Sequence, residues 1–585
     1  MQTTSRRGAL FAAALVGWAI AFWVVIGPRS STVKAAYIAP LRVPIGRGVV
    51  AADTPEAARA GAEVLARGGN AVDAAVATAL ALGVVSSGGS GLGGGGFLVL
   101  STVKDHRVRV LDFRETAPAA ASRDMFLVDG KFVPERSKWG GLAVAIPGEP
   151  AGLAEVEAKF GKLGLEAAAA PAIKLARDGF PASEHLTTAA ARILGRLGAN
   201  ADEPLRAMLA PGGKSLAPGD RLKRPELART LELFGRGGHD AFYRGAIARE
   251  LAAAVQRKGG VLTVEDLANY KPLWHDPLEG TYRGHHIYGV PPPAGGATTI
   301  EALQILDARP PLGPLGPGSS AADHAIAEAL KHAFADRARA LGDPAFVDVP
   351  SRKLTDPAYA RELAARVADD KVQKPEAYGG KTLAGAPADV PHDHGTSHLC
   401  VADGEGNVVA LTTTINLGFG AAFFGGSTGV LLNDEMDDFS AQPGVPNAYG
   451  LIGGFANAVA PGKRPLSSMT PLLLMKDGRP TLCAGGSGGP LIVSETVQAV
   501  VNVIDFGMDA EAAVSAPRIH AQWVPDVLLV EPEIAADVIE GLKRRGQKVV
   551  PPPPFAGSAA QVIVFKPDHL EAASDPRKGG APAAP

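Results

Sequence analysis

Cysteine is nearly absent. Two in 585 residues are too few for a disulfide framework, so the fold must rest on a packed core. Cys400 and Cys483 sit in apolar, strand-like runs and read as small buried core residues. Net charge is lacking as well. The 58 basic and 60 acidic side chains leave a balance of −2, so no field of one sign favours nucleic acid or an acidic surface. A small molecule is then the default partner, with neither a metal nor a cofactor expected. After the first forty residues no apolar run is long enough to span a membrane, and no internal repeat is evident.

The N-terminus is different. Arg6 and Arg7 precede an apolar run from Gly8 to Ile26, and Val33-Lys34-Ala35 ahead of Ala36 is a small-residue cleavage candidate. Residues 1–35 are expected to be a signal peptide or, since the run over 8–26 is about as long as one membrane span, an anchor. Either way the catalytic part is expected outside the cytoplasm, periplasmic or extracellular.

Thr54 to Val85 carries alanine and leucine at helical spacing, broken at Gly68-Gly69-Asn70, and predicts two packed helices. The following SGLGGGGF matches G-x-G-x-x-G at Gly91, Gly93 and Gly96, but helix precedes it and strand follows. A dinucleotide site needs the reverse order, so a tight helix-to-strand turn is expected. Residues 150–375 are mainly alanine-rich helical pattern, and Lys374–Asp393 is polar, proline-containing linker. From residue 396 the texture turns to strands: HLCVAD, VVALTTTI, GVLLND, PLLLMKDG, TLCAGG, DVLLVEP and QVIVFKP, with SETVQAVVNVIDFG and IAADVIEGLKRRG as helices. Mixed strands and helices place the chain in an α+β class.

The densest chemistry lies between His394 and Ser440. Gly395-Thr396 stands before a strand and ahead of a knot of carboxylates. A threonine hydroxyl is a poor nucleophile unless a base adjoins it, and an N-terminal threonine supplies that base with its own α-amine. The chain would have to be cut before Thr396, and Gly395 is the residue most easily held in the distorted backbone such a cut needs.

That segment, with DFRETAP around Arg114, AIPGEPAGL from Ala145, ADRARALGDPAF from Ala335, LLNDEMDDFS, KRPLSSMTP around Ser467, GGSGG at Gly485 and ASDPR near the end, resembles the γ-glutamyltranspeptidases, or glutathione hydrolases. These are N-terminal-nucleophile hydrolases. The resemblance implies a four-layer αββα sandwich shared by a large subunit, 36–395 with linker 374–395, and a small catalytic subunit, 396–585, cut from one precursor and held as a heterodimer. It implies Thr396 as nucleophile, Thr414 as its hydroxyl partner, and Gly488 and Gly489 as the oxyanion turn. Arg114, Ser467 and Ser468 would hold the α-carboxylate of a γ-glutamyl donor such as glutathione. Glu435, Asp438 and Asn416 would hold its α-ammonium, and Tyr449 would cover it. Water, amino acids or peptides would accept the acyl group. Ser487 and Pro490 depart from the usual Gly-Ser-Pro-Gly-Gly turn, and Asp434 replaces a usual asparagine.

Other readings explain less. G-x-S-x-G matches at Ser487 and Ser427 suggest a serine esterase, but only His520 and His569 follow Ser487. His392, Asp393, His394 and His398 suggest a metal, yet they lie on a linker entering a strand rather than on a helix. A non-catalytic exported binding protein would not need the Gly-Thr step. Within the resembled family, an acylase for glutaryl-cephalosporin side chains would leave Glu435 and Asp438 without a cation to face.

Overall fold

The computed structural model describes residues 40–380, 395–552 and 558–585. The expected leader or anchor, most of the linker, and His392, Asp393 and His394 lie outside them. Among the described residues no helix is long and apolar enough to cross a membrane.

Two antiparallel sheets face each other. The seven-stranded sheet runs Leu41–Pro44, His569–Ser574, Ala559–Phe565, Arg479–Ser487, Leu472–Lys476, His285–Gly289, Leu278–Tyr282. The six-stranded sheet runs Val49–Ala52, Ser397–Ala402, Val408–Thr414, Gly95–Thr102, Arg107–Phe113, Leu273–His275. Strand alternation sorts the side chains between layers. Leu98, Leu100, Leu399 and Leu411 point to the helices Pro55–Ala66 and Ala71–Val85. Phe97, Val99, Cys400 and Ala410 point to the other sheet and meet Leu473, Cys483 and Ile563. That sheet's opposite face, with Leu472, Leu474 and Leu482, packs on the helices Gly296–Asp307, Ser320–Ala340 and Leu491–Ile504. The result is a helix-sheet-sheet-helix α+β sandwich.

The two N-terminal helices form where the spacing predicts. Thr54 caps the first, and an Asn70–Asp73 capping box starts the second. SGLGGGGF is the helix-to-strand turn. Gly93 and Gly94 pass so close to the Leu431 and Thr414 carbonyls that a Cβ would lie 1.9 Å from each.

Three expectations need correction. Cys400 and Cys483 are fully buried as expected, but they form one disulfide between the sheets. GVLLND is not a strand: only Leu431 makes a bridge, to Phe424. The Leu432 amide goes to Phe423, and the Asn433 amide and side chain go to Gly93, so this segment is spent on loops rather than on a ladder. Inside the helical stretch 150–375, Leu273–His275 forms one edge of the six-stranded sheet, and Leu278–Tyr282 forms an edge of the seven-stranded sheet with His285–Gly289 next to it.

Candidate active site

Ser397 pairs with Thr413 across adjacent strands of the six-stranded sheet. One step further along that register Thr396 faces Thr414, their hydroxyl oxygens 3.0 Å apart. The Asn416 amide donates to the Thr414 hydroxyl, which leaves the Thr414 proton free to point at Thr396. Thr396 has φ 109°, a strained value for a β-branched residue. The chain is continuous here, so the Thr396 nitrogen is an amide, donating to the Gly89 carbonyl at 2.8 Å. Gly395 is pressed against Asn416, where a Cβ would stand 2.2 Å from the carbonyl oxygen. Strain and crowding thus meet at the bond expected to break.

A cavity opens on this pair. Its lining brings together Arg114, Thr396, Thr414, Asn416, Glu435, Asp438, Tyr449, Ser467, Ser468 and Gly489, which the sequence scatters over nearly four hundred positions. Arg114 is fully buried and forks to Glu435 and Asp438, with its Nε donating to the Pro465 carbonyl. Burial works against its charge, but Glu435, Asp438 and Glu115 outweigh burial and hold its pKa above the ordinary range. Burial likewise pushes Glu115 and Glu435 upward, against the pull of Arg114. Asn416, at φ 74°, donates its side-chain amide to the Asp434 carbonyl.

Asp434, standing where an amide is usual, receives the Leu417 amide on Oδ1, while its buried Oδ2 has no partner among the described residues. Burial, reinforced by Asp437, raises its pKa well above the carboxylate range. Burial thus favours the neutral form of this carboxyl in an asparagine's place.

Gly488 and Gly489 join the strand Arg479–Ser487 to the helix Leu491–Ile504 with φ of 139° and 58°, a backbone that glycine adopts without strain at a helix start. Gly488 is not among the cavity's lining residues. The Tyr449 ring rests where a Gly489 Cβ would come within 2.6 Å, and its hydroxyl donates to the Asn416 carbonyl at 2.9 Å.

Motif reading missed what lies beneath. Lys578 is buried and donates to the Thr396 carbonyl at 2.8 Å, to Asp53 at 3.0 Å and to Ser487 at 2.6 Å. Ser487 also donates to Asp53. One network therefore joins the Gly-Thr step to the residue that opens the glycine turn. The only sequence signal was its place after ASDPR. Arg337, on the helix Ser320–Ala340, also reaches the site by donating to Ser468 at 3.4 Å.

The serine-esterase reading loses its geometry. Ser487 does sit between strand and helix, but its hydroxyl is committed to Asp53, Lys578 and the Ala559 carbonyl rather than to a histidine. Ser427 bonds Glu250. His398 is buried, its Nδ1 2.8 Å from the Thr412 hydroxyl, and burial pulls its pKa down to about 3. No cluster that could hold a metal is found among the described residues.

Several known proteins are similar to this chain over most of its length. The glutathione hydrolase proenzyme of Escherichia coli strain K12 is 42% identical over 538 residues, covering 91% of this chain and 90% of its own. The acylase ACY 1 proenzyme of Pseudomonas sp. strain SE83 is 40% identical, covering 92% and 93%. The crystal structure of cephalosporin acylase from Bacillus halodurans superposes with a TM-score of 0.82 at 28% identity, covering 96% of this chain and 99% of that one. The family profile described as Gamma-glutamyltranspeptidase matches residues 57–584, and the chain belongs to that family.

Proposed function

We propose that this chain is a self-processing γ-glutamyltransferase and glutathione hydrolase whose chemistry is carried by Thr396. The observation that supports it most is the shared cavity, in which the Thr396–Thr414 hydroxyl pair faces Arg114, Glu435 and Asp438.

In maturation, the Thr396 hydroxyl oxygen adds to the Gly395 carbonyl, the C–N bond breaks, and the Thr396 nitrogen leaves as an amine. Water then hydrolyses the Gly395–Oγ ester. This separates a large subunit ending at Gly395, which begins near residue 36 once a leader is removed, from a small subunit 396–585. The same hydroxyl next adds to a donor's γ-carbonyl while the new α-amine takes its proton. Thr414 steadies the hydroxyl, and the Gly488 and Gly489 amides receive the developing oxyanion. Collapse expels the leaving amine, which takes that proton, and leaves a γ-glutamyl ester. Water or an amino group attacks the ester, releasing glutamate or a new γ-glutamyl amide.

A zwitterionic donor end suits a site whose own charges already close on one another. Its α-carboxylate, with the Ser467 and Ser468 hydroxyls, replaces the carboxylates on the Arg114 fork. Its α-ammonium, with Asn416, then answers Glu435 and Asp438, and Tyr449 covers the pair. A glutaryl group supplies only the carboxylate, so γ-glutamyl donors are favoured over the acylase reading. The basic and apolar N-terminal segment supports export to the periplasm or cell exterior.

The deciding experiment is intact mass of purified protein mixed with γ-glutamyl-4-nitroanilide and, separately, with its glutaryl analogue. Two fragments, with the γ-glutamyl mass on the smaller, are expected. Acylation by the glutaryl compound alone would make the protein an acylase. An uncut, unlabelled chain would leave a binding protein.

A further inference from the structure

Thr396 is held on both sides of its Cα. Its amide nitrogen donates to the Gly89 carbonyl at 2.8 Å, and its own carbonyl accepts from Lys578, also at 2.8 Å. These two bonds keep the residue at φ 109°, which a β-branched side chain tolerates only where the surroundings over-determine it. The cut weakens the first fixture, because the nitrogen becomes a terminal amine no longer tied to a planar peptide. The Lys578 bond stays.

Lys578 is built for that task. It is buried, and its three N–H donors meet three acceptors: the Thr396 carbonyl, Asp53, and Ser487 at 2.6 Å. The short turn Pro576–Lys578 that carries it is capped by Asp575, which also receives Arg518 and the Ala560 amide. Asp53 directly follows the strand Val49–Ala52 and is fixed by the Gln561 amide at 2.8 Å. Ser487 directly precedes Gly488 and Gly489. Stability alone gives no reason for this arrangement: a buried ammonium–carboxylate pair loses hydration that its attraction scarcely returns, and apolar residues of like size commonly hold a fold as well.

We infer that Lys578 is a positioning residue that fixes the Thr396 carbonyl and, through Ser487, the glycine turn, so that nucleophile and oxyanion donors keep their register through the cut and through turnover. The inference rests on the role proposed for Thr396. Lys578 is not among the residues lining the cavity, so it acts through Thr396 and Ser487 rather than on a donor. Its anchor joins both pieces, with Asp53 in the large subunit and Lys578 and Ser487 in the small one. The cut therefore leaves it whole.

The test sets Lys578→Met, and Lys578→Met combined with Asp53→Asn, against the parent, each as the full chain. The double variant leaves no buried charge without a partner, so it should melt at or above the parent's midpoint. Cell-free synthesis with timed electrophoresis should show the Gly395–Thr396 cut slowed by about tenfold or more in both. Once processed, both should lose about a hundredfold in kcat for γ-glutamyl-4-nitroanilide while KM stays within about threefold, because a displaced nucleophile costs turnover rather than donor binding. Ser487→Ala, which releases the turn but leaves Lys578 on Thr396, should lower kcat by about tenfold.

A double variant that recovers the parent's kcat would make the network an ion pair of the fold and overturn the positioning role. So would a loss carried by KM, or unchanged processing and turnover in Lys578→Met. If Lys578→Met does not fold, the double variant decides, and a double variant that also fails to fold assigns Lys578 to stability and overturns the role. An unchanged kcat in Ser487→Ala would overturn the half that concerns the glycine turn. A parent that is neither cut nor active defeats the proposed function itself, whereas a working parent beside an equally fast variant defeats only this inference.

Discussion

At the scale of single residues the site divides into chemistry and recognition, and substitutions should separate the two. Thr396→Ala removes the hydroxyl needed for both cuts, so electrophoresis should show one uncut chain with no anilide turnover. Two fragments from this variant would assign processing to another group. Arg114→Lys keeps a charge but loses the fork that meets Glu435 and Asp438 together. Processing should remain complete while KM for the anilide rises by about tenfold or more. An unchanged KM would take Arg114 out of donor binding. Most of these residues were legible because each sits in a short motif with its own chemical reason, a glycine before a threonine or a carboxylate run after an apolar one. Lys578 was not, because its partners Asp53 and Thr396 stand 525 and 182 positions away. Asp434 was visible as an odd charge, but only its burial beside Asp437 pushes its carboxyl toward the neutral form.

At the scale of elements, periodicity recovered what repeats and missed what is short. The helices Pro55–Ala66 and Ala71–Val85 carry caps and long apolar faces, whereas Leu273–His275 and Leu278–Tyr282 offer three and five residues with mixed exposure, too little for an alternation to register. The intersheet cystine was hidden for another reason: two buried cysteines look the same in sequence whether they touch or not. The helix Glu149–Phe160 carries its own prediction. It holds two buried carboxyls: burial raises Glu149 to about 7 against a bond from Thr413, and burial with Asp73 beside it raises Glu157 to about 8. Both folded-state values exceed the unfolded carboxyl value of about 4.3. The native state therefore holds protons that the unfolded chain has released, and stability falls as pH rises from about 4.3 toward 8, then levels. Glu157→Gln stays neutral throughout. Its unfolding free energy relative to the parent should be more favourable at pH 8 than at pH 5, by up to about 1.4 kcal/mol for each pH unit crossed, as read by denaturant titration. A difference independent of pH would mean that Glu157 is ionised in the folded protein.

At the scale of the whole molecule, the proposed cut cannot pull the two subunits apart, because each sheet is woven from both. Ser397–Ala402 lies between Val49–Ala52 and Val408–Thr414, and Leu472–Lys476 lies between His285–Gly289 and Arg479–Ser487. Leu41–Pro44 pairs with His569–Ser574 at the far edge of the larger sheet. Separating residues 36–395 from 396–585 would strip ladder bonds from both sheets and open the core between them. The disulfide adds nothing to this join, since Cys400 and Cys483 both belong to the smaller piece. The mature protein should therefore elute from a sizing column as one species containing both fragments and melt in one cooperative transition. In denaturing electrophoresis the fragments should separate equally well with and without reductant. A small subunit that folds or elutes alone would contradict the interwoven sheets. Small fragments that run as a disulfide-linked dimer without reductant, and as single fragments with it, would contradict the Cys400–Cys483 pairing.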